Sequence, residues 1–365
     1  MKLEDDFKSF LVFLSMFDNT YLKNQQIIDS LGEDVSLKHF CKSKFDGILT
    51  KENLDKMKER ADINRINNYY NNMLDSDIVL LTKFDKDYPE KLRDLPDAPF
   101  FLFCRGDLSL LNEKALAVVG TRKPTNYGRV VTNRIVGDVA REGVVIVSGL
   151  AYGVDSIAHR KCLEVGGKTI AVLGAGLNEI YPAEHISLAE EIAKKGLLVS
   201  EYSPNKKATK YSFPQRNRII AGLSDGVLIT EASIKSGTIH TKDYALDYGK
   251  NIYSVPGNID SPLSELTNDI IKSSQAQLVT KASDILVDYN IVKGESGIKK
   301  AEKSSNYQLS IEESAIVNLL KDGMKEMDFL AKNSGLSISD LNSNLTMLEI
   351  RGIISRLPGS IVSLN

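Results

Sequence analysis

Residues 203–232 read SPNKKATKYSFPQRNRIIAGLSDGVLITEA. This segment begins as a run of cations and ends in an apolar stretch at 226–230 that predicts a buried strand. Between Ser203 and Ser224 it holds five Lys or Arg residues and no Asp or Glu, although the formal net charge of the whole chain is only −2. The local excess of positive charge predicts an anionic partner.

Two aromatic residues lie inside this basic segment. Tyr211 and Phe213 are framed by lysines and arginines. Unpaired bases stack on aromatic rings while their phosphates pair with cations, so the combination is typical of a surface that binds single-stranded nucleic acid.

Strand and helix patterns alternate from residue 78 onward, which predicts an α/β domain whose parallel sheet is covered on both faces. In such sheets ligands bind at the carboxyl ends of the strands, so the loops that follow them should carry the function. The predicted strands are 78–81, 115–119, 144–148, 169–173, 197–200, 226–230 and 251–255.

Both ends of the chain have a different character. Residues 1–75 predict a small domain of short helices at 7–17, 24–31, 37–40 and 51–72.

Residues 290–308 have the composition of a linker. Residues 309–365 predict a winged helix, because helical patterns at 311–320, 326–334 and 339–351 precede a hairpin that turns at Gly359. Its third helix is poor in basic residues, so a protein contact is as plausible as a DNA contact.

Two further loops have residues suited to phosphate. Gly120, Thr121 and Arg122 follow a predicted strand, and the span from Lys114 to Arg134 holds five Lys or Arg residues and no acid. Backbone N–H groups at the start of the next helix favour an anion beside Arg122. The alternative is a tight turn with a solvated arginine.

The loop at 235–241 follows the next strand and is built of small residues. Ser236, Gly237 and Thr238 would let a phosphate approach the backbone N–H groups, and Lys235 and Lys242 add charge.

The sequence predicts no catalytic residue, no metal site and no cofactor. Ser148, Asp155 and His159 lie close together in sequence, but the Gly-x-Ser-x-Gly turn of a hydrolase and a third metal ligand are both missing. Gly174-x-Gly176 lacks the third glycine of a dinucleotide fingerprint. These loops therefore predict a binding protein rather than an enzyme.

The sequence Phe-Pro-x-Arg-Asn-Arg-Ile-Ile-Ala-Gly-Leu-Ser at 213–224 resembles the signature of the DNA-processing protein A (DprA/Smf) family. Gly120-Thr-Arg122 is similar to the family's Gly-Ser-Arg element. The resemblance implies a Rossmann-like DprA domain at 76–289, with a sterile-alpha-motif-like helical domain before it and a winged-helix domain after it. It also implies a single-stranded DNA-binding protein that protects DNA and helps to load the RecA recombinase during natural transformation or related recombination. Family members form a homodimer through the Rossmann-like domain.

The predicted DNA-binding residues follow from these loops and the resemblance. Four cations are expected to pair with phosphates, one ring to stack on a base, and the small residues to present backbone or hydroxyl donors, while Asn217 could equally orient its loop from behind. The set comprises Gly120, Thr121, Arg122, Lys210, Phe213, Arg216, Asn217, Arg218, Ser236, Gly237 and Thr238.

Some residues depart from the family pattern or favour an alternative. Tyr152 stands where most relatives have Arg, and Leu266 where they have Gly. The 235–241 loop also resembles the phosphate loop of lysine-decarboxylase-like nucleotide phosphoribohydrolases. Those enzymes need a Glu on the following helix, where this chain has residues 240–243, His-Thr-Lys-Asp. A nucleotide-binding protein or nucleotide phosphoribohydrolase-like enzyme remains the alternative.

Composition agrees with an ordinary globular protein of 365 residues, 42% apolar and 26% charged. No apolar run is long enough to cross a membrane, and the acidic first residues do not predict a signal peptide. We therefore expect a cytoplasmic protein without a membrane partner.

Overall fold

A computed structural model of the chain describes residues 6–17, 19–291, 309–321, 323–351, 353–357 and 361–364. The chain divides into two compact units, Met1–Val292 and Lys293–Asn365. Of the predicted linker, residues 292–308 lie outside the described residues, as does the predicted turn at Gly359.

The first unit begins with five helices: α1 (Asp6–Ser15), α2 (Tyr21–Leu31), α3 (Leu37–Lys42), α4 (Lys51–Glu59) and α5 (Ile63–Asp75). The prediction of a single helix over 51–72 is wrong. The carboxylate of Asp62 accepts a hydrogen bond of 2.9 Å from the backbone N–H of Arg65. A side-chain cap of this kind starts a new helix, so α5 is separate from α4.

The helical region shares its core with the sheet that follows. Phe10 and Phe13 of α1 belong to the same hydrophobic cluster as Phe101, Phe103 and Leu198 of the sheet. Cutting the chain near residue 75 would expose this shared surface to water. That the first 75 residues are a separate, sterile-alpha-motif-like domain stays a prediction.

Nine strands of the first unit's described residues form one sheet in the order β1-β2-β6-β5-β4-β3-β7-β8-β9. The seven predicted strands are present to within a residue at either end, and the sequence analysis missed β2 and β9. Strands β3 to β9 pair in parallel, while β2 runs antiparallel to both of its neighbours. The strands are β1 (Val79–Thr82), β2 (Phe101–Gly106), β3 (Ala115–Val119), β4 (Val145–Ser148), β5 (Thr169–Val172), β6 (Leu197–Ser200), β7 (Gly226–Ile229), β8 (Asn251–Ser254) and β9 (Gln277–Leu278).

Hydrophobic clusters cover both faces of this sheet. Along β3, Ala117 and Val119 point into one cluster, whereas Leu116 and Val118 point into the other. This two-residue alternation explains why the central strands are apolar throughout rather than on one side. The helices after β1 are α6 (Glu90–Arg93), α7 (Asn126–Arg141), α8 (Val154–Glu164), α9 (Ile186–Lys195), α10 (Ser212–Leu223), α11 (Thr238–Asp247), α12 (Glu265–Lys272) and α13 (Ser283–Leu286).

The strand order reverses at β3. The chain proceeds from β3 through β4 and β5 to β6, and α10 then returns it so that β7 pairs with the other side of β3. The loops that leave β3 and β7 therefore diverge, which opens a crevice at the carboxyl ends of these strands. Ligands of open α/β sheets bind at such a switch point.

The second unit has its own apolar core. Its described residues form helices α14 (Ile311–Leu320), α15 (Met327–Asn333) and α16 (Ile338–Ile350), and a sheet in the order β10-β12-β11 made of β10 (Lys325–Glu326), β11 (Ile354–Leu357) and β12 (Ile361–Leu364). The core contains Ile316, Leu320, Leu330, Leu341, Leu345, Leu348, Ile354 and Val362. Three helices with a hairpin are the arrangement that the sequence predicts for a winged helix.

Candidate nucleic-acid interface

A cleft of about 570 Å³ opens at the switch point between β3 and β7. Its walls are the loop after β3, the beginning of α10 and the loop before α11. It is lined by every predicted site residue except Arg218, namely Gly120, Thr121, Arg122, Lys210, Phe213, Arg216, Asn217, Ser236, Gly237 and Thr238. Residues from three separate parts of the sequence thus meet at one place.

The loop after β3 packs closely against Val154 and Glu231. A Cβ atom on Gly120 would lie 2.7 Å from the Val154 side chain and 2.8 Å from the Glu231 carbonyl oxygen. The backbone N–H of Thr121 donates to that same carbonyl at 2.7 Å. This packing requires glycine at 120, and it leaves the Arg122 side chain exposed at the rim of the cleft.

Glu231, which the sequence analysis did not single out, fixes the helix that follows this loop. Its buried carboxylate accepts hydrogen bonds from the backbone N–H of Thr125 at 2.8 Å and from the Thr125 hydroxyl at 2.5 Å. Thr125 in turn caps α7 by accepting from the backbone N–H of Gly128. The sequence signal that could have identified this role is an acidic residue placed just after a buried strand.

Aromatic rings and exposed cations form the centre of the cleft. The half-buried ring of Phe213 lies 5.4 Å from the ring of Tyr181, measured between centroids, and 5.9 Å from the guanidinium carbon of Arg122. Lys210 is exposed, with its Nζ 4.9 Å from the centre of the Tyr211 ring. The group offers stacking surfaces beside positive charge. Tyr181 was not predicted.

Arg216 faces inward rather than into solvent. It is 4% exposed, and its Nη1 donates to the carbonyl oxygen of Gly149 at 2.7 Å and to that of Val172. Burial lowers the pKa of the guanidinium to about 10, so the group is still charged at neutral pH. Because Nη1 is used on these two carbonyls, this geometry favours a role for Arg216 in joining the loops after β4 and β5 over the predicted phosphate contact.

Arg218 points away from the cleft. Its Nη2 is ion-paired with the carboxylate of Glu201, and both side chains are largely buried. Burial raises the pKa of Glu201, and the nearby guanidinium opposes that rise. In this structure Arg218 neutralises a buried acid, and its phosphate contact stays a prediction that this geometry does not favour.

The loop before α11 places small polar groups at the opposite wall. The hydroxyl of Ser236 lies 2.9 Å from that of Thr238 and accepts from the Thr238 backbone N–H at 3.2 Å. Gly237 is exposed, and nothing lies within 4 Å of where its Cβ would be. Asn217 donates to the Gly237 carbonyl oxygen at 3.4 Å, which fits the predicted orienting role better than a DNA contact.

The residues that suggested a hydrolase or a metal site have structural roles. The Ser148 hydroxyl donates to the carbonyl oxygen of Val118 at 2.6 Å. Asp155 is buried and accepts from the backbone N–H of Gly149. Burial lowers the pKa of His159 to about 3. Within the described part of the chain, no group of three or more His, Cys, Asp or Glu residues is placed to hold a metal ion.

Residues 79–290 match the family model described as DNA recombination-mediator protein A, and residues 300–360 match the DprA winged helix domain. The chain belongs to the DNA recombination-mediator protein A family. The resemblance to DprA/Smf proteins is thereby confirmed, together with the fold class and a winged helix at the carboxyl end. The family match makes this a DNA-processing protein.

Three relatives show how far the DprA similarity extends. The DNA processing protein DprA of Bacillus subtilis is 40% identical over 201 residues, which covers 55% of this chain and 67% of that protein. The X-ray structure of DprA from Streptococcus pneumoniae superposes with a TM-score of 0.67 at 31% identity, covering 79% of this chain and 99% of that chain. A Helicobacter pylori DprA structure, described for its single-stranded DNA binding mode, matches with a TM-score of 0.53 at 34% identity, covering 58% and 95%.

Among the described residues no helix has both the length and the apolar character needed to cross a bilayer.

Proposed function

We propose that this protein binds single-stranded DNA in the cleft between β3 and β7 and does not act as an enzyme. The observation that carries the proposal is that two exposed cations, Arg122 and Lys210, line the same cleft as the half-buried Phe213 ring. Cations pair with phosphates and the ring stacks on an unpaired base.

The cleft favours single strands over duplexes for a geometric reason. Bases in a duplex are already stacked and paired, so a half-buried ring inside a cleft reaches them only after unpairing. The cations around Phe213 contact the backbone, which carries no sequence information. We therefore infer tight binding to single strands with little base preference.

The biological setting is part of the proposal. The family is named for recombination mediation, which supports loading of RecA on the bound strand during natural transformation or related recombination. A cytoplasmic location and a homodimer through the Rossmann-like domain belong to the same proposal. Exposed apolar side chains near the β8–β9 side, Ile259 at 89% and Leu278 at 46% exposure, support such a contact. Leu266 is buried within its own chain instead.

The alternative, a nucleotide phosphoribohydrolase-like enzyme, has no free carboxylate to act as base among the described residues that line the cleft. Asp155 is the one carboxylate among the described residues that line it, and its oxygen Oδ2 already accepts from the backbone N–H groups of Gly149 and Ala151. On the following helix, Lys242 pairs with Asp243 at 2.6 Å. The geometry therefore favours binding without hydrolysis.

Titration of labelled oligonucleotides tests the proposal. Single strands should bind more tightly than duplexes of equal length, and strands of different sequence should bind alike. The same protein, free of nucleic acid, should release neither phosphate from nucleoside triphosphates nor base from nucleoside monophosphates. Equal affinity for duplex would contradict the proposed selectivity, and release of free base would favour the alternative.

A further inference from the structure

A second basic pocket, of about 480 Å³, lies on the far side of Arg122 from the main cleft. It is lined by the loop after β3, the first turn of α7 and the loop before α8. The lining residues are Arg122, Lys123, Arg129, Tyr152, Gly153, Ser156 and Ile157.

The charge of this pocket is uniformly positive. Arg122, Lys123 and Arg129 are exposed, and the lining contains no Asp or Glu. Other surface cations of the chain, such as Lys161 and Lys195, pair with acids close by in sequence. Three cations around one concave surface make a favourable position for phosphate.

The second pocket adjoins the main cleft. A shallow depression between them is lined by Arg122, Tyr152, Tyr181 and Phe213. It shares Arg122 and Phe213 with the cleft, and Arg122 and Tyr152 with the second pocket. Neighbouring depressions that share side chains therefore lead from the Phe213 ring towards Lys123 and Arg129.

Tyr152 is held in place along this path. Its hydroxyl donates to Oε2 of Glu184 at 2.6 Å, and its ring meets the His185 ring edge to face at 5.2 Å. The ring is nevertheless 39% exposed. An aromatic ring that is fixed on one side and open on the other loses little side-chain entropy when a base stacks on it.

Gly153 determines how close Tyr152 comes to Arg122. Its φ of 76° lies in the left-handed region, and a Cβ there would collide with the backbone of Thr121 and Arg122. The absence of a side chain lets the loop before α8 pack directly on the loop after β3. The Tyr152 ring and the three cations are thereby brought to one surface.

We propose that this pocket is a second subsite for the same single strand, in which Lys123 and Arg129 each contact a phosphate beyond the main cleft and Tyr152 stacks on a base. The inference rests on the proposed function. Stacking on Tyr152 is uncharged, so this part of the contact should be independent of salt.

Oligonucleotide length separates the two subsites. Strands of about 4 and about 16 nucleotides, the range of site sizes that single OB folds cover, would be titrated against the full chain at several salt concentrations. In the double variant Lys123→Ala/Arg129→Ala, the affinity for the short strand should stay at the wild-type level. For the long strand the affinity should fall, and the log–log salt slope should decrease by about 1.4, or about 0.7 per lost contact. Lys44→Ala/Lys51→Ala is the matched control, since it removes the same charge from exposed residues of the helical region.

The tyrosine is tested in the same way. Tyr152→Ala should weaken the long strand roughly 5- to 150-fold, the range for one stacked base, with the salt slope unchanged. Tyr152→Phe keeps the ring and removes the bond to Glu184, so it should bind the long strand nearly as well as wild type. A melting curve for each variant shows whether the fold is intact.

The outcomes distinguish this inference from the proposed function. Wild-type protein that binds neither strand would contradict the proposed function and the inference with it. Wild-type binding to the long strand that Lys123→Ala/Arg129→Ala leaves unchanged would overturn the second subsite alone. Equal losses for both lengths would also overturn it, because the pocket would then be part of the main site.

Discussion

Arg216 provides the sharpest contrast between the sequence and the structure. Its Nη1 donates to two buried carbonyl oxygens, of Gly149 and Val172. Hydrogen bonds that involve a charged group contribute about 1.5–3 kcal/mol each, so the two together stabilise the fold by roughly 3–6 kcal/mol. Arg216→Ala also removes the positive charge that opposes the raised pKa of buried Asp155. We expect the thermal midpoint to fall by about 10 °C, from a scale of roughly 2–4 °C per kcal/mol for large domains.

Arg122→Ala is the matched control because it removes the same charge from the same cleft. Arg122 is exposed, and exposed substitutions change the free energy of unfolding by about 0.5 kcal/mol or less. Its melting curve should therefore match wild type while its DNA affinity falls. Scanning calorimetry of both variants, with a DNA titration for each, makes the comparison. If Arg216→Ala melts like wild type and loses DNA binding, the inward role assigned to Arg216 is refuted and it is a phosphate ligand.

Three further predictions follow from the same contacts. Phe213→Ala should weaken single-strand binding by about 1–3 kcal/mol without changing the salt slope, because stacking is uncharged; an unchanged affinity in a well-folded variant would exclude stacking. Arg218→Ala should leave Glu201 buried without its cation and raise its pKa further. A carboxyl group whose pKa is raised in the folded state lowers the stability of the fold as pH rises through that pKa. The difference in melting midpoint between Arg218→Ala and wild type should therefore be larger at about pH 8 than at about pH 5. A difference independent of pH would argue against the Arg218–Glu201 ion pair. A chain truncated to residues 1–292 should keep most of the affinity, because the cleft and its supporting cores lie within the first unit; loss of binding by a folded truncation would assign the site to the second unit.

The parallel part of the fold could be predicted from sequence because its signal is local. Strand β3 is apolar at every position from Ala115 to Val119, as expected for a strand that is buried on both faces. Strand β2 is apolar only from Phe101 to Cys104 and pairs antiparallel with β1 and β6. The helix between it and β1, α6, is only four residues long, too short to show the helical periodicity that marks a strand–helix alternation. The break between α4 and α5 depends on the Asp62 cap, which the apolar periodicity of 51–72 does not report.

The candidate site was predictable in composition but not in orientation. The basic loops and the Phe213 ring do converge on one cleft, because parallel strands bring their carboxyl ends together. Counting charges cannot separate Arg122 from Arg216, since the partners of Arg216 lie 67 and 44 residues away in sequence. Glu231 escaped notice for the same reason, as its hydrogen bonds to Thr125 span 106 residues. Long-range contacts decide which cations face solvent.

The central claim is that the cleft between β3 and β7 holds single-stranded DNA through its exposed cations. The most direct test is the salt dependence of single-strand affinity for the double variant Arg122→Ala/Lys210→Ala beside wild type. Loss of two phosphate contacts should weaken all sequences alike and lower the log–log slope by about 1.4, with the melting midpoint unchanged. A variant whose affinity and slope equal those of wild type would show that the DNA lies elsewhere.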